Sequence, residues 1–191
     1  MSESLVHPPT EPWSIDDLAN LPDDGMRYEL VDGSLLVSPM PRLPHIRVAY
    51  RLRRLLERQA PPDLAIGNEA GVGARSPRSY FVPDVWMVPA AALDRDGQYF
   101  QPTEMLLVVE VLSEGNRSVD LLLKRHYYAD GGIPEYWIVD PRGRTLTVLR
   151  LSDGDLPEGA RAYDEHAVVK AGETYRAQTP FPLAVDPAEI L

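Results

Sequence analysis

Three carboxylates sit where the surrounding residues make them costly. Glu110 interrupts the run 105–112, Met-Leu-Leu-Val-Val-Glu-Val-Leu; Asp84 lies inside Phe-Val-Pro-Asp-Val-Trp-Met-Val; and Glu29 falls within Arg-Tyr-Glu-Leu-Val-Asp-Gly. An ionised carboxylate in an apolar strand is unfavourable by several kcal/mol unless it is paired or binds a metal. Each acid also has an ordinary reading: Glu110 could face outward at a sheet end or pair with an arginine, and Glu29 could be exposed on an alternating hairpin. If the three converge from separate strands, they form an oxygen-rich site suited to Mg²⁺ or Mn²⁺. Such a site serves phosphodiester hydrolysis.

Lys124 is the fourth candidate. Of 19 cationic residues two are lysine, Lys124 and Lys170, leaving 17 arginines. Where arginine is the habitual cation, a lysine one helix beyond an acidic strand points to a need for a compact ammonium whose pKa can be tuned. Helical spacing puts Asp120, Lys124 and Tyr127 or Tyr128 on neighbouring turns. As a surface ion pair, Asp120 with Lys124 would contribute only a few tenths of a kcal/mol. Arg47, Arg51, Arg54 and Arg58 also recur at helical spacing, either as phosphate contacts or as an ordinary solvated face. His45, just ahead of them, reads as a surface residue or as a substrate contact. Other chemistries fall away: the four histidines lack zinc-type spacing, no G-x-S-x-G elbow exists, and Gly71-Val-Gly73 lacks the third glycine of a dinucleotide loop.

The elements that must position these residues are legible in part. Ser14 is a plausible N-cap for a short helix. Residues 27–31 and 34–37 flank Asp32-Gly33, a strong hairpin signal. From residue 44 to about 60, Ile46, Ala49, Leu52, Leu55 and Leu56 follow a helical period, and Pro61-Pro62 stops that helix. Short β-type runs follow at 64–66 and 80–88. The run 105–112, apolar on both alternations, predicts a central strand covered on both faces. A helix over 118–130 ends at Gly131-Gly132, with further strands at 133–139 and 145–151. The order of elements predicts an α/β or α+β fold with a mixed sheet.

Composition narrows the class. The chain has 191 residues, 44% of them hydrophobic, enough for one domain with a sizeable core and too many for general disorder. Acids outnumber Lys+Arg by 29 to 19, a formal charge of -10. That excludes a histone-like or polybasic membrane role. With no cysteine, disulfides, thiolate zinc sites, iron–sulfur clusters and cysteine nucleophiles are excluded. No long apolar segment and no signal-type N-terminus is visible, so a cytoplasmic location is the expectation.

Taken together, Tyr28-Glu-Leu-Val-Asp-Gly33, Ser38-Pro39 with His45, Pro83-Asp-Val85, Val109-Glu-Val-Leu-Ser113 with Arg117, Asp120, Lys124 and Tyr128, and Pro134-Glu-Tyr-Trp-Ile-Val-Asp-Pro141 resemble the Uma family. These are bacterial restriction-endonuclease-like proteins, a branch of the PD-(D/E)XK nuclease superfamily. The likeness runs from about residue 14 to the C-terminus. It implies one restriction-endonuclease-like domain over residues 1–191, a mixed central sheet flanked by helices, with residues 1–13 as a loosely ordered arm. It further implies a Mg²⁺-dependent DNA endonuclease, with Mn²⁺ as an alternative ion and a homodimer as a compatible assembly. Glu29 would be the accessory acid, Asp84 and Glu110 the metal ligands, and the Val111 carbonyl a further ligand. His45 and Arg117 would contact substrate, joined on the helical spacing noted above by Arg47 and Arg51. The superfamily places lysine two positions after the glutamate, where this chain has Leu112; Lys124 resembles a migrated lysine acting on the phosphate. The competing reading is a non-catalytic nucleic-acid-binding or regulatory module that keeps the nuclease fold.

Overall fold

Asp32 and Gly33 both take positive φ, 47° and 79°, the backbone that a two-residue hairpin of right-handed twist requires. They join β1 (Met26–Val31) to β2 (Ser34–Pro39), with Val31 opposite Ser34 and Met26 opposite Pro39. These features belong to a computed structural model that describes residues 11–113, 119–154, 157 and 159–191. Ser14 precedes a short 3-10 helix, Ile15–Asn20, and its backbone N–H and hydroxyl both donate to the Asp17 carboxylate.

Helix α1 (Leu43–Glu57) buries Val48, Ala49, Leu52, Leu55 and Leu56. Ile46, expected on that face, is instead 46% exposed, because the stripe that packs begins later, at Val48. The helix ends before the Pro61-Pro62 pair. β3 (Leu64–Gly67) and the two-residue β4 (Val72–Gly73) follow.

Residues 80–88 do not form one strand. They split into β5 (Tyr80–Phe81) and β6 (Val85–Pro89), which belong to different sheets. Pro83 has no N–H to offer a ladder, so the chain crosses between sheets at 82–84, and Asp84 sits at the crossing.

β7 (Leu107–Val111) is buried along its whole length. The helical segment beyond it opens with wide i→i+5 turns over Val119–Lys124 and tightens into α2 (Arg125–Gly131), in place of the single α-helix expected over 118–130. Gly132, at φ 80°, closes α2 in the left-handed conformation. Next come β8 (Glu135–Asp140), β9 (Thr145–Leu151), β10 (Tyr163–Lys170), β11 (Tyr175–Ala177), β12 (Leu183–Val185) and α3 (Pro187–Ile190).

The large sheet runs β10-β9-β8-β7-β6-β3, and only the β7/β8 pair is parallel. A smaller sheet runs β2-β1-β5-β4, and β11 pairs with β12 alone. Strand alternation then sorts the core into two clusters. Val85, Met87, Leu107, Val109, Val111 and Trp137 face α1, α3 and the β11/β12 hairpin. Trp86, Val88, Val108, Tyr136 and Ile138 face Phe81 of the small sheet and Tyr128 of α2. The fold is thus a mixed sheet with elements on both faces. No helix among the described residues is long and apolar enough to cross a membrane.

Candidate active site

The crossing at 82–84 and the carboxyl end of β7 bring the acids together. Asp84 is 6% exposed, and Glu29 and Glu110 are each 2% exposed. The outward-facing alternatives for Glu29 and Glu110 are therefore excluded. On β1, residues two apart share a face, so Arg27 and Glu29 point the same way. Arg27 Nη1 lies 3.2 Å from Asp84 Oδ1, and it also faces the Val82 carbonyl at 3.4 Å. The Val82 N–H donates to Glu29 Oε1 at 2.8 Å, and the Val111 N–H donates to Asp84 Oδ2 at 2.8 Å. Asn68 adds a side-chain amide donated to the Asp84 backbone carbonyl.

Lys124 is 2% exposed, and its Nζ stands 3.0 Å from Glu29 Oε1 and 3.0 Å from Glu110 Oε1. Lys124 thus meets the strand acids in the interior, and the reading of it as half of a surface pair does not hold. Tyr128, four residues further on, donates its hydroxyl to the same Glu110 Oε1 at 2.8 Å. Leu112, where the superfamily pattern would have lysine, packs instead in the apolar cluster with Tyr128.

His45 is not the surface residue that its setting suggested. From the first turn of α1 its Nε2 reaches Asp84 Oδ2 at 3.1 Å and the Val111 carbonyl at 2.8 Å. Its Nδ1 is buried without a hydrogen-bond partner. Burial opposes charge on both members of this pair, but their mutual contact outweighs it. The Asp84 carboxyl is held below its usual range by the His45 hydrogen bond and charge, by Arg27 and by the Val111 N–H. The His45 ring is raised above its usual value by Asp84 and the Val111 carbonyl, against burial and the repulsion of Arg27. Tyr128 is pushed far up by burial and by the charges of Glu110 and Glu29, so it stays a hydroxyl donor.

Glu29, Asp84, Glu110, Lys124, His45 and the Val111 carbonyl therefore share one locus. Arg47 and Arg51 do not reach it: both are exposed on α1, and Arg51 Nη1 donates to the Leu191 carbonyl at 2.9 Å. Arg117 and the Asp120 side chain lie outside the described residues. Arg27 and Asn68 were not foreseen from the sequence. For Arg27 the signal was present, since it stands two residues before Glu29 on the same strand face.

As they stand, no three His, Asp or Glu groups among the described residues converge on one ion position. Glu110 Oε1 faces Lys124 and Tyr128. The donor chemistry nevertheless fits a hard divalent cation. Asp84 Oδ2 and the Val111 carbonyl already share one polar partner in His45 Nε2, with the carboxylate of Glu110 on the adjoining residue.

Comparison with known proteins agrees with this architecture. Residues 15–186 match the family model described as "Uma2: Putative restriction endonuclease". A solved structure, a "putative nuclease belonging to DUF820" from Anabaena variabilis ATCC 29413, is similar over 94% of this chain and 97% of that chain. Its TM-score is 0.66 at 17% sequence identity, a likeness that speaks for the fold alone. No curated protein matches the chain.

Proposed function

The chain belongs to the Uma2 family, and from that premise we propose that it is a Mg²⁺-dependent endonuclease that hydrolyses DNA phosphodiester bonds. The observation that carries this reading is the burial of Glu29 and Glu110 against one lysine, beside an Asp84 that is hydrogen-bonded to the Val111 peptide. Asp84, Glu110 and the Val111 carbonyl would hold the ion, with Mn²⁺ able to replace Mg²⁺. When bound, a divalent ion supplies Lewis acidity and a more acidic water.

The protein's own groups do the rest. Lys124 carries a compact positive charge into a dry site, where it is worth far more against a phosphate oxygen than at the surface. Its hold on Glu29 and Glu110 keeps the ammonium aimed while no substrate is present. Tyr128 fixes one oxygen of Glu110, and the Val82 N–H fixes one of Glu29. Arg27 and His45 hold the two oxygens of Asp84 in place, Arg27 at Oδ1 and His45 at Oδ2.

One observation favours a second reading, a binding or regulatory module that no longer cleaves. Lys124 is clasped by two acids, and position 112 is leucine. The test is incubation of plasmid DNA and of RNA with Mg²⁺ or Mn²⁺, alongside thermal melts. Wild type is expected to nick DNA and to gain stability from the metal, and Asp84→Asn and Glu110→Gln are expected to lose both while staying folded. Metal stabilisation without cleavage of either polymer selects the module. Cleavage of RNA alone overturns the DNA assignment, and absence of metal stabilisation overturns the metal site.

A further inference from the structure

We propose that the cavity beside Arg27 is a subsite for one unstacked nucleobase, with guanine preferred through the Glu69 carboxylate. This rests on the nuclease reading above and deepens it: the preferred substrate is DNA that is unpaired beside the cleaved bond, not intact duplex. The catalytic candidates themselves are closed off, since Glu29, Glu110 and Lys124 are each 2% exposed, whereas the side chains of Arg27 and His45 are each 15% exposed. The site therefore meets solvent on the Arg27 and His45 side. There a cavity of about 320 Å³ has Arg27 and Val82 in its wall. Alternation along β1 turns Met26 and Tyr28 away from Glu29, so a base seated in the cavity leaves the acids free for the phosphate attached to it.

The lining suits a planar ring. Tyr28 and Tyr80 bring aromatic rings, and Met26 and Met40 bring apolar side chains that are 38% and 49% exposed at the rim. Bases stack on such rings whatever their identity. The volume lies at the small end of ligand pockets, which run from about 300 to 1,000 Å³, so it takes one ring system and not a base pair. Both rings are fixed before any ligand arrives. The Tyr28 hydroxyl donates to Asp24 Oδ2 at 2.8 Å, and Tyr99 packs edge-on against Tyr80 at 6.1 Å between centroids. Gly71, which has no part in a dinucleotide loop, has its use here: a Cβ at that position would collide with the Tyr80 ring.

Two polar groups of the cavity are unpaired. The Glu69 carboxylate and the Tyr80 hydroxyl have no hydrogen-bond or ion-pair partner among the described residues. Glu69 is held at φ 62°, a backbone conformation that disfavours a side chain. Its neighbour Asn68 keeps it there, accepting from Arg53 Nη1 at 3.2 Å and donating to the Asp84 carbonyl. Burial and the charge of Glu29 raise the Tyr80 hydroxyl above its usual value, so it remains a donor. A carboxylate can only accept. Guanine sets N1–H and its N2 amino group side by side, one for each carboxylate oxygen, and leaves O6 for the Tyr80 hydroxyl. Adenine and cytosine each place a ring-nitrogen acceptor beside the amino group, and thymine flanks its one N–H with two carbonyls, so each sets a lone pair against the carboxylate.

The experiment measures binding of labelled single-stranded oligodeoxynucleotides to the full chain by fluorescence anisotropy in Ca²⁺, at one salt concentration. The strands are thymidine throughout except for one central guanine or hypoxanthine, which lacks only the N2 amino group. Wild type should bind the guanine strand at least about fivefold more tightly, the low end of discrimination against a wrong base. Glu69→Gln should bring that ratio to about one. Because the ratio is taken within each protein, a general change in charge or stability does not imitate the effect. Pairing the guanine strand with its complement should weaken binding, since the base must then leave the stack. Equal binding of the two strands by wild type, a ratio that persists in Glu69→Gln, or a duplex bound as tightly as the single strand each overturns the subsite. Failure to bind either strand while plasmid DNA is still nicked also overturns it and leaves the nuclease reading standing. Neither binding nor nicking overturns both.

Discussion

Lys124 shows how one residue can stabilise a fold and constrain a mechanism together. Its ammonium faces Glu29 and Glu110 at equal distances inside a protein interior. Removing one partner of a buried ionic group costs about 3–5 kcal/mol, because the remaining charges stay desolvated. Lys124→Met is therefore expected to lower unfolding free energy by that order, read by urea denaturation without metal. Adding Glu29→Gln should restore part of the loss, and a strictly additive double mutant would dissolve the claimed coupling. His45 and Asp84 give a pH signature in the metal-free protein. Folding raises the His45 pKa, so its contribution is complete below about pH 6.5 and is lost as pH rises through the folded value. Folding lowers the Asp84 pKa, so its contribution is present above about pH 3.9 and is lost as pH falls through the folded value. The windows overlap near pH 5–6. In EDTA, wild type should exceed His45→Gln by about 1.5–3 kcal/mol there, with the difference shrinking as pH rises through the folded His45 value. A difference that is flat with pH would detach the stability of the pair from the charge on His45.

The elements that place these residues are unequally legible in the sequence. The Asp32-Gly33 hairpin, the buried strand around Glu110 and the strand at 145–151 announce themselves by turn chemistry and periodicity, which are local. The split of 80–88 into two strands of different sheets is not local. It depends on Pro83 and on which sheet each half joins, and it decides where Asp84 points. His45 misleads for a related reason: the helix period locates a ring on a face, but only the docking of α1 against β7 determines that the first turn ends over Val111. β10, β11 and β12 carry weaker alternation and do not stand out in the sequence, although they close one edge of the large sheet and one face of the core. At this scale the testable joint is Gly132, whose φ of 80° ends α2 just beyond Tyr128. An alanine there meets only the tip of the Arg161 side chain, so its cost is conformational, about 1–2 kcal/mol. Gly132→Ala should lower the stability read by urea denaturation by that amount and leave Mn²⁺ affinity unchanged. A loss of affinity would mean that the end of α2 sets the position of Tyr128 and Lys124.

Across the whole molecule, a net charge of -10 must be reconciled with the polyanionic substrate proposed above. The charge is unevenly spread. Helix α1 presents Arg47, Arg54 and Arg58 to solvent, while Arg51 is tied to the Leu191 carbonyl and Arg53 to Glu57 at 3.0 Å. The same helix opens with His45 inside the carboxylate locus, whereas the exposed arginines lie roughly half a turn around the helix from it, so they would meet phosphates only of a duplex that extends past the locus around α1. Because α1 already has structural contacts through Arg51 and Arg53, the informative change is Arg47→Gln with Arg54→Gln. If the stripe meets phosphates, binding should weaken for every DNA sequence. The slope of log affinity against log salt should flatten by about 0.9 for each phosphate that is no longer neutralised, nearly two units for the pair. Metal-induced stabilisation should not move, since neither arginine reaches the carboxylates. The measurement is a salt titration of DNA binding in Ca²⁺, which occupies oxygen sites with little turnover. An unaltered slope in the double variant would assign the arginines to solvent, and the substrate would then have to approach over the face formed by β1, β5 and the Arg27 side chain.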